Sequence, residues 1–223
     1  MLRGDIDFLR ELQKPGFETL ARAFLPRNYP AKSLIFIPRE ERDLVFIVTR
    51  GRARVYLAYE DKEFTLALLE RGDVYSTHTR AYVAALKDTT IMCAETAHIR
   101  RQLLRIPEFT VTMVRVLGDV LSHSINIIDN LAFLDVGRRL KCFLLYERER
   151  AEGKAGQSCQ APSAQQPETG VLLELGLTTE HLATLLGTTR QTLSTILNAL
   201  AKEGLVELRG RGRIYIPDPT ALE

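Results

Sequence analysis

The stretch from Glu108 to Leu134, EFTVTMVRVLGDVLSHSINIIDNLAFL, constrains this chain more than any other. Val114, Leu117, Leu121, Ser124, Ile128 and Leu131 recur three and four residues apart, the a/d spacing of a two-stranded coiled coil with one polar position. A helix of about 27 residues is roughly 40 Å long, more than one small domain buries and enough to join two. The spacing admits two readings: a dimer spine between two domains, or a helix folded against its own domain. What flanks it must decide between them.

A chain of 223 residues holds one large domain or two modest ones, and two fit the pattern better. With 45% apolar and 26% charged residues it is ordinary globular material with no tendency to disorder over its length. No apolar run approaches the roughly 18 residues of a membrane span, and Met-Leu-Arg-Gly-Asp does not open a signal peptide. A cytoplasmic protein with no membrane attachment is expected. Cys93, Cys142 and Cys159 are odd in number and scattered, so they form neither a disulfide framework nor a CxxC metal pattern. The net charge is only +2, so any case for nucleic acid rests on where the charge sits.

Residues 5–24 alternate charge with Leu, Phe and Ala at helical spacing until Pro26 and Pro30 break the pattern. From Ser33 to Glu95 the chain runs in short β-branched and aromatic segments: SLIFI, LVFIVT, RARVYLAY, EFTLALL, DVYSTH and TTIMCAE. Turn residues cut them at Arg50-Gly51, Glu60-Asp61-Lys62 and Arg71-Gly72-Asp73, which predicts a double-sheet β-roll or jelly roll. After Arg100 the pattern becomes helical. Beyond the long helix, Asp135 is placed to cap a second helix over Val136–Arg148, a natural hinge. Residues 149–170, rich in Ala, Gln, Ser, Pro and Gly, read as an exposed loop without chemistry, Cys159 included.

From Leu175 the chain reads LGLTTEHLATLLGTTRQTLSTILNALAKEGLVELRGRGRIYIPD. Thr178 can cap a short helix ending at Gly187, and Thr188 or Thr189 the next, with Leu182, Leu186, Leu193, Ile196, Leu197 and Leu200 as shared core. Two helices joined by a tight turn make a helix-turn-helix, and the second opens with polar Thr-Arg-Gln-Thr. Arg190 and Gln191 suit bidentate contacts with guanine and adenine edges, and Ser194 lies one turn on. Val206–Ile216 reads as a β-hairpin wing whose Arg209, Arg211 and Arg213 contact phosphates. From Val171 onward there are five basic and six acidic side chains, so placement and not total charge carries the DNA argument. A symmetric dimer would read a pseudo-palindrome with half-sites about 10 to 10.5 bp apart.

The run NYPAKSLIFIPREERDLVFIVTRGRARVYLAYEDKEFTLALLERGDVY, with glycines at Gly51 and Gly72, resembles the effector domain of the cyclic-AMP receptor protein superfamily. LAFLDVGRRLKCFLL resembles the hinge of that superfamily, and with the C-terminal motif the likeness covers essentially the whole chain. It implies an α+β protein. Residues 1–106 form an effector-binding β-roll, 107–134 the dimerisation helix and 135–223 a winged helix-turn-helix domain. Cyclic-nucleotide-binding members carry a Glu and an Arg-Ser/Thr pair after the second glycine, where this chain has Asp73-Val74-Tyr75-Ser76-Thr77-His78-Thr79-Arg80. A buried cyclic phosphate would lack its cradle. The iron-sulfur branch needs four cysteines, mostly N-terminal, and the first here is Cys93.

VYLAYEDKEFTLALLERGDVYSTHT together with VLGDVL is similar to the CO-sensing haem regulators of the CooA type. That resemblance implies haem b with His78, in a loop pointing into the roll, as axial ligand of ferrous iron. Leu117, Gly118 and Leu121 would be the helix face against the haem. It further implies that CO displaces an N-terminal ligand trans to His78 and swings the readers of a homodimer about Asp135, activating transcription through RNA polymerase. Two departures stand out. Ser76 replaces the Cys that ligates ferric haem in the best-known members, and Leu2 leaves Met1 in place, so either the α-amine or the thioether of Met1 becomes the candidate sixth ligand. The alternatives are another effector, nitric oxide or a nucleotide, in the same kind of regulator, or a cupin-like metal enzyme. The cupin spacing begins at Gly72 and His78, but Arg80 stands where its second His belongs.

Overall fold

The computed structural model describes residues 7–38, 43–103, 107–151, 170–210 and 212–222. Met1, Arg211, Cys159 and nearly all of the expected loop at 149–170 lie outside the described residues. Two short helices, α1 (Phe8–Glu11) and α2 (Glu18–Ala23), precede the strands β1 (Leu25–Tyr29), β2 (Leu34–Phe36), β3 (Leu44–Arg50), β4 (Ala53–Tyr59), β5 (Lys62–Leu69), β6 (Val74–Ser76), β7 (Tyr82–Ala85) and β8 (Thr89–Glu95). They pair antiparallel in two four-stranded sheets, ordered β1-β8-β3-β6 and β2-β7-β4-β5. This is the expected double-sheet roll.

Alternation along β3 explains its core. Phe46 and Val48 point into the cluster between the sheets with Val55, Leu69, Val83 and Ile91. Val45 and Ile47 point the other way, into a second cluster with Phe8, Leu20, Phe24 and Ile99. Two turns demand glycine. Gly51 has φ +90°, and a Cβ there would lie 2.3 Å from the Asp88 carbonyl. Gly72, at φ +94°, donates its N–H to Val48 O at 2.9 Å while its carbonyl accepts from Phe8 N.

Two strands of the roll were not anticipated. Pro26 was read as a breaker but sits in β1 opposite Met92, on the sheet edge, where a missing N–H costs no ladder bond. β7, Tyr-Val-Ala-Ala, has too little β-branched character to stand out. The helical pattern also starts earlier than Arg100, because α3 spans Thr96–Leu103.

The long helix, α4, runs Pro107–Phe133, and after two residues α5 (Val136–Ala151) follows. The chain separates into two compact units, Met1–Ile127 and Ile128–Glu223, so the division falls within α4. In the second unit, β9 (Val171–Glu174), α6 (Thr179–Leu185), α7 (Arg190–Lys202), β10 (Glu207–Leu208) and β11 (Arg213–Ile216) precede a 3-10 turn at Pro219–Leu222. The sheet order is β10-β11-β9, so the expected hairpin gains an unforeseen third strand. Leu182, Leu186, Leu193, Leu197 and Leu200 are buried as anticipated, whereas Ile196 is only half-buried.

By length and composition Thr110–Phe133 is apolar enough to cross a membrane, which corrects the expectation that no run approaches one. Its apolar side chains include those of the heptad seam. Val114, Leu117, Leu121 and Ile128 are 62–66% exposed, while Thr112 and His123 are buried.

Candidate functional site

His78 is positioned by pairing of β6 with β3. Val45 lies opposite Ser76, and Thr77 ties the turn down twice: its N–H donates to Leu44 O at 2.9 Å and its Oγ1 accepts from Leu44 N at 2.8 Å. His78 therefore lands beside Asp43. Its Nδ1 is 2.7 Å from Ser76 Oγ, and its Nε2 is 3.5 Å from Asp43 Oδ2. The side chain is 48% exposed, so the expected orientation into the roll is corrected: His78 stands at the surface of the turn. Phe46, Tyr75 and their neighbours pack together between the sheets, and His78 is not among them.

Haem is the group the sequence pattern implies, and the donors present fit it. Were the ring to give Nδ1–H to Ser76 Oγ, Nε2, here 3.5 Å from Asp43 Oδ2, would be the nitrogen open to a metal. Ser76, a poor iron ligand, is thus suited to hold the ring of His78. Among the described residues no group of three or more His, Cys, Asp or Glu side chains converges on a metal position. Leu117 and Leu121 are 64% and 62% exposed, and a Cβ on Gly118 would meet nothing within 4 Å. No contact within the described chain requires glycine at that point. Met1 lies outside the described residues.

The two buried arginines of the roll are engaged elsewhere. Arg52 and Arg54 are buried, Arg52 Nε lies 2.9 Å from Glu70 Oε1, and Arg54 pairs with Glu63 and stacks 4.0 Å over Tyr56. Arg80 is exposed. One residue that the sequence reading passed over is His123, on α4 outside the heptad seam, whose Nε2 is 3.0 Å from Leu66 O. Burial pushes its pKa down to about 4.

In the second unit Thr189 caps α7, its Oγ1 accepting from Thr192 N at 3.2 Å. Arg190 and Gln191 follow in its first turn, exposed, with Ser194 half-buried one turn on and Thr195 and Asn198 extending the same polar surface. On the wing Arg213 is exposed, Arg211 lies outside the described residues, and Arg209 is already occupied. Its guanidinium donates to Glu207 Oε2 at 2.9 Å and lies 4.3 Å from the Tyr215 ring centroid. Asp135 caps α5 as expected, accepting from Arg138 N at 2.9 Å, and that hydrogen bond holds its carboxyl below the usual range.

A double-sheet roll, a long helix with an uncovered apolar seam and a winged helix-turn-helix define a DNA-binding regulator. Residues 138–223 match the Crp-like helix-turn-helix domain. A CooA mutant from Carboxydothermus hydrogenoformans shares 39% identity over 98% of this chain and 94% of its own, with TM-score 0.82. The chain belongs to the Crp family of DNA-binding transcription regulators; it is not an enzyme. The CO-dependent transcription factor CooA of the same organism, in its imidazole-bound form, is 40% identical over the same shares, with TM-score 0.52. Two curated relatives are less similar. The global nitrogen regulator of Synechococcus elongatus is 25% identical over 92% of this chain and 93% of its own. The cAMP-activated regulator Vfr of Pseudomonas aeruginosa is 23% identical over 83% and 86%.

Proposed function

We propose that this chain is a haem-dependent, CO-responsive transcription regulator that acts as a homodimer in the cytoplasm, with His78 as the iron ligand. The observation that carries the reading is sustained identity with a CO-dependent factor along nearly the whole chain, well above that with the nitrogen and cAMP regulators. The donor set around His78 supports it. Bound haem would supply a ferrous iron able to take up CO. The protein's own part is to present Nε2 of His78, steady the ring through Ser76 and cover the site with the Leu117–Leu121 face of α4. The exposed seam would close against a second copy, and Asp135 would serve as the hinge to α5. Arg190, Gln191 and Ser194 would read bases, with Arg209, Arg211 and Arg213 on phosphates. A nucleotide effector has less support, because Arg80 is exposed and Arg52 and Arg54 are held by Glu70 and Glu63.

Reduced protein expressed with ample porphyrin should show a Soret band that moves on adding CO, and should bind its operator more tightly with the gas. Colourless protein that binds the operator equally with and without CO would overturn the reading. His78→Ala should abolish tight haem uptake, and an unaltered Soret band in that variant would remove His78 from the ligand set.

A further inference from the structure

We propose that His123 is a positioning residue that latches α4 to a bulge in β5 and thereby sets which side of α4 faces a second copy. The inference starts from the register of β4 and β5. Ala67 pairs with Val55 and Thr65 with Tyr56, so Leu66 is the extra residue of a β-bulge. A bulge leaves its extra residue out of the ladder, and a carbonyl shielded from water must find another donor. His123 provides it, with Nε2 3.0 Å from Leu66 O. Because a carbonyl only accepts, the ring must carry its proton on Nε2.

The latch acts on rotation. His123 is 9% exposed, and with Thr112, Met113 and Val116 it defines the face of α4 that lies against the roll. Leu121 is about 200° away around the helix at 100° per residue, on the exposed seam. Fixing His123 therefore fixes the direction of Leu117, Leu121 and Ser124. The bulge is also in contact with the candidate effector turn through the chain itself: β5 continues through Gly72 into β6 and then His78. A shift of β5 reaches the seam through this hydrogen bond. His123 is not a pH sensor at ordinary pH, because burial keeps the ring neutral well below neutrality.

The proposal rests on a seam shared by two copies, and the test separates the two claims. Single cysteines at Leu121, Ser122 and Val120, in a background with Cys142 and Cys159 replaced by serine, report helix rotation through disulfide formation between copies, with no effector added. With His123 present, Leu121→Cys should cross-link fastest. His123→Met, which keeps bulk but has no donor, should slow it about tenfold, the shift one lost buried hydrogen bond supports, and speed a neighbouring position. His123→Gln, which can still donate, should restore the Leu121 pattern. The same ranking in His123→Met and in the parent overturns the latch, whereas no cross-link at any position in the parent overturns the shared seam instead. A measurement on the unmodified protein stands beside these variants if His123→Met does not fold. Nitrogen-15 shifts of the His123 ring should report a neutral Nε2–H tautomer with slow proton exchange at pH 7. A ring protonated on Nδ1 alone, or in fast exchange with water, overturns the latch.

Discussion

At the scale of single residues, a buried imidazole that stays neutral makes the fold sensitive to acid in a defined window. The unfolded chain protonates His123 near pH 6.5, the folded protein only near pH 4. Between those values the unfolded state binds the extra proton, so stability is complete above 6.5 and falls as the pH drops towards 4, by at most about 3 kcal/mol. The lowered carboxyls of Glu18, Asp135 and Asp218 respond in a lower range, because their contribution is present above the unfolded carboxyl pKa and is lost as pH falls below it. Urea unfolding across pH 7.5 to 5 therefore isolates the imidazole. In His123→Gln the decline over that range should flatten. A parent protein equally stable at both ends would show that His123 is not buried as described. The sequence offered a weak signal for this residue, a lone histidine on an apolar helix outside the a/d seam. For Asp43 it offered none, since only the pairing of β3 with β6 brings position 43 next to 78.

At the scale of elements, α4 was the most legible part of the chain, because a 3.5-residue repeat sustained over four turns survives whatever packs against it. One face lies on its own roll, as one reading had it, and the opposite face, the share left to the dimer spine, is bare. The seam makes the second share testable. Leu121→Glu places a charge at a position 62% exposed in the single chain, so the isolated fold should tolerate it. A coiled-coil partner would not, and sedimentation should show the variant as monomer at concentrations where the parent is a dimer. A parent that sediments as a monomer would leave α4 without its expected partner. Short elements were harder to read. β7 and β9 are four residues each, and their apolar runs carry no period that separates strand from helix. β1 was hidden by Pro26, whose tolerance depends on the edge position that only the finished sheet reveals. The helix-turn-helix was plain because caps, a Gly turn and leucine spacing all agree, whereas the grip of Glu207 on Arg209 depends on side chains that meet only once the hairpin forms.

For the whole molecule, a net charge of +2 cannot by itself draw the protein to DNA, so specific and non-specific binding should separate cleanly by residue. Arg190 stands exposed in the first turn of α7, where a guanidinium can form two hydrogen bonds to a guanine edge. Arg213 stands exposed on β11, away from that helix in sequence, and is proposed to contact phosphate. The two roles respond differently to salt. Each phosphate contact releases counterions and adds about 0.9 to the slope of log K against log salt, whereas a base contact adds selectivity with little change in slope. Arg190→Ala should therefore lose about 1–3 kcal/mol on the operator and very little on scrambled DNA, at an unchanged slope. Arg213→Ala should weaken both DNAs alike and lower the slope by about one. Glu207→Gln sharpens the comparison, since releasing Arg209 from its carboxylate should strengthen binding to both DNAs and steepen the slope. Fluorescence anisotropy titrations at several salt concentrations read all three variants, and an Arg190→Ala protein that loses operator and scrambled DNA equally would remove α7 from the base-reading role.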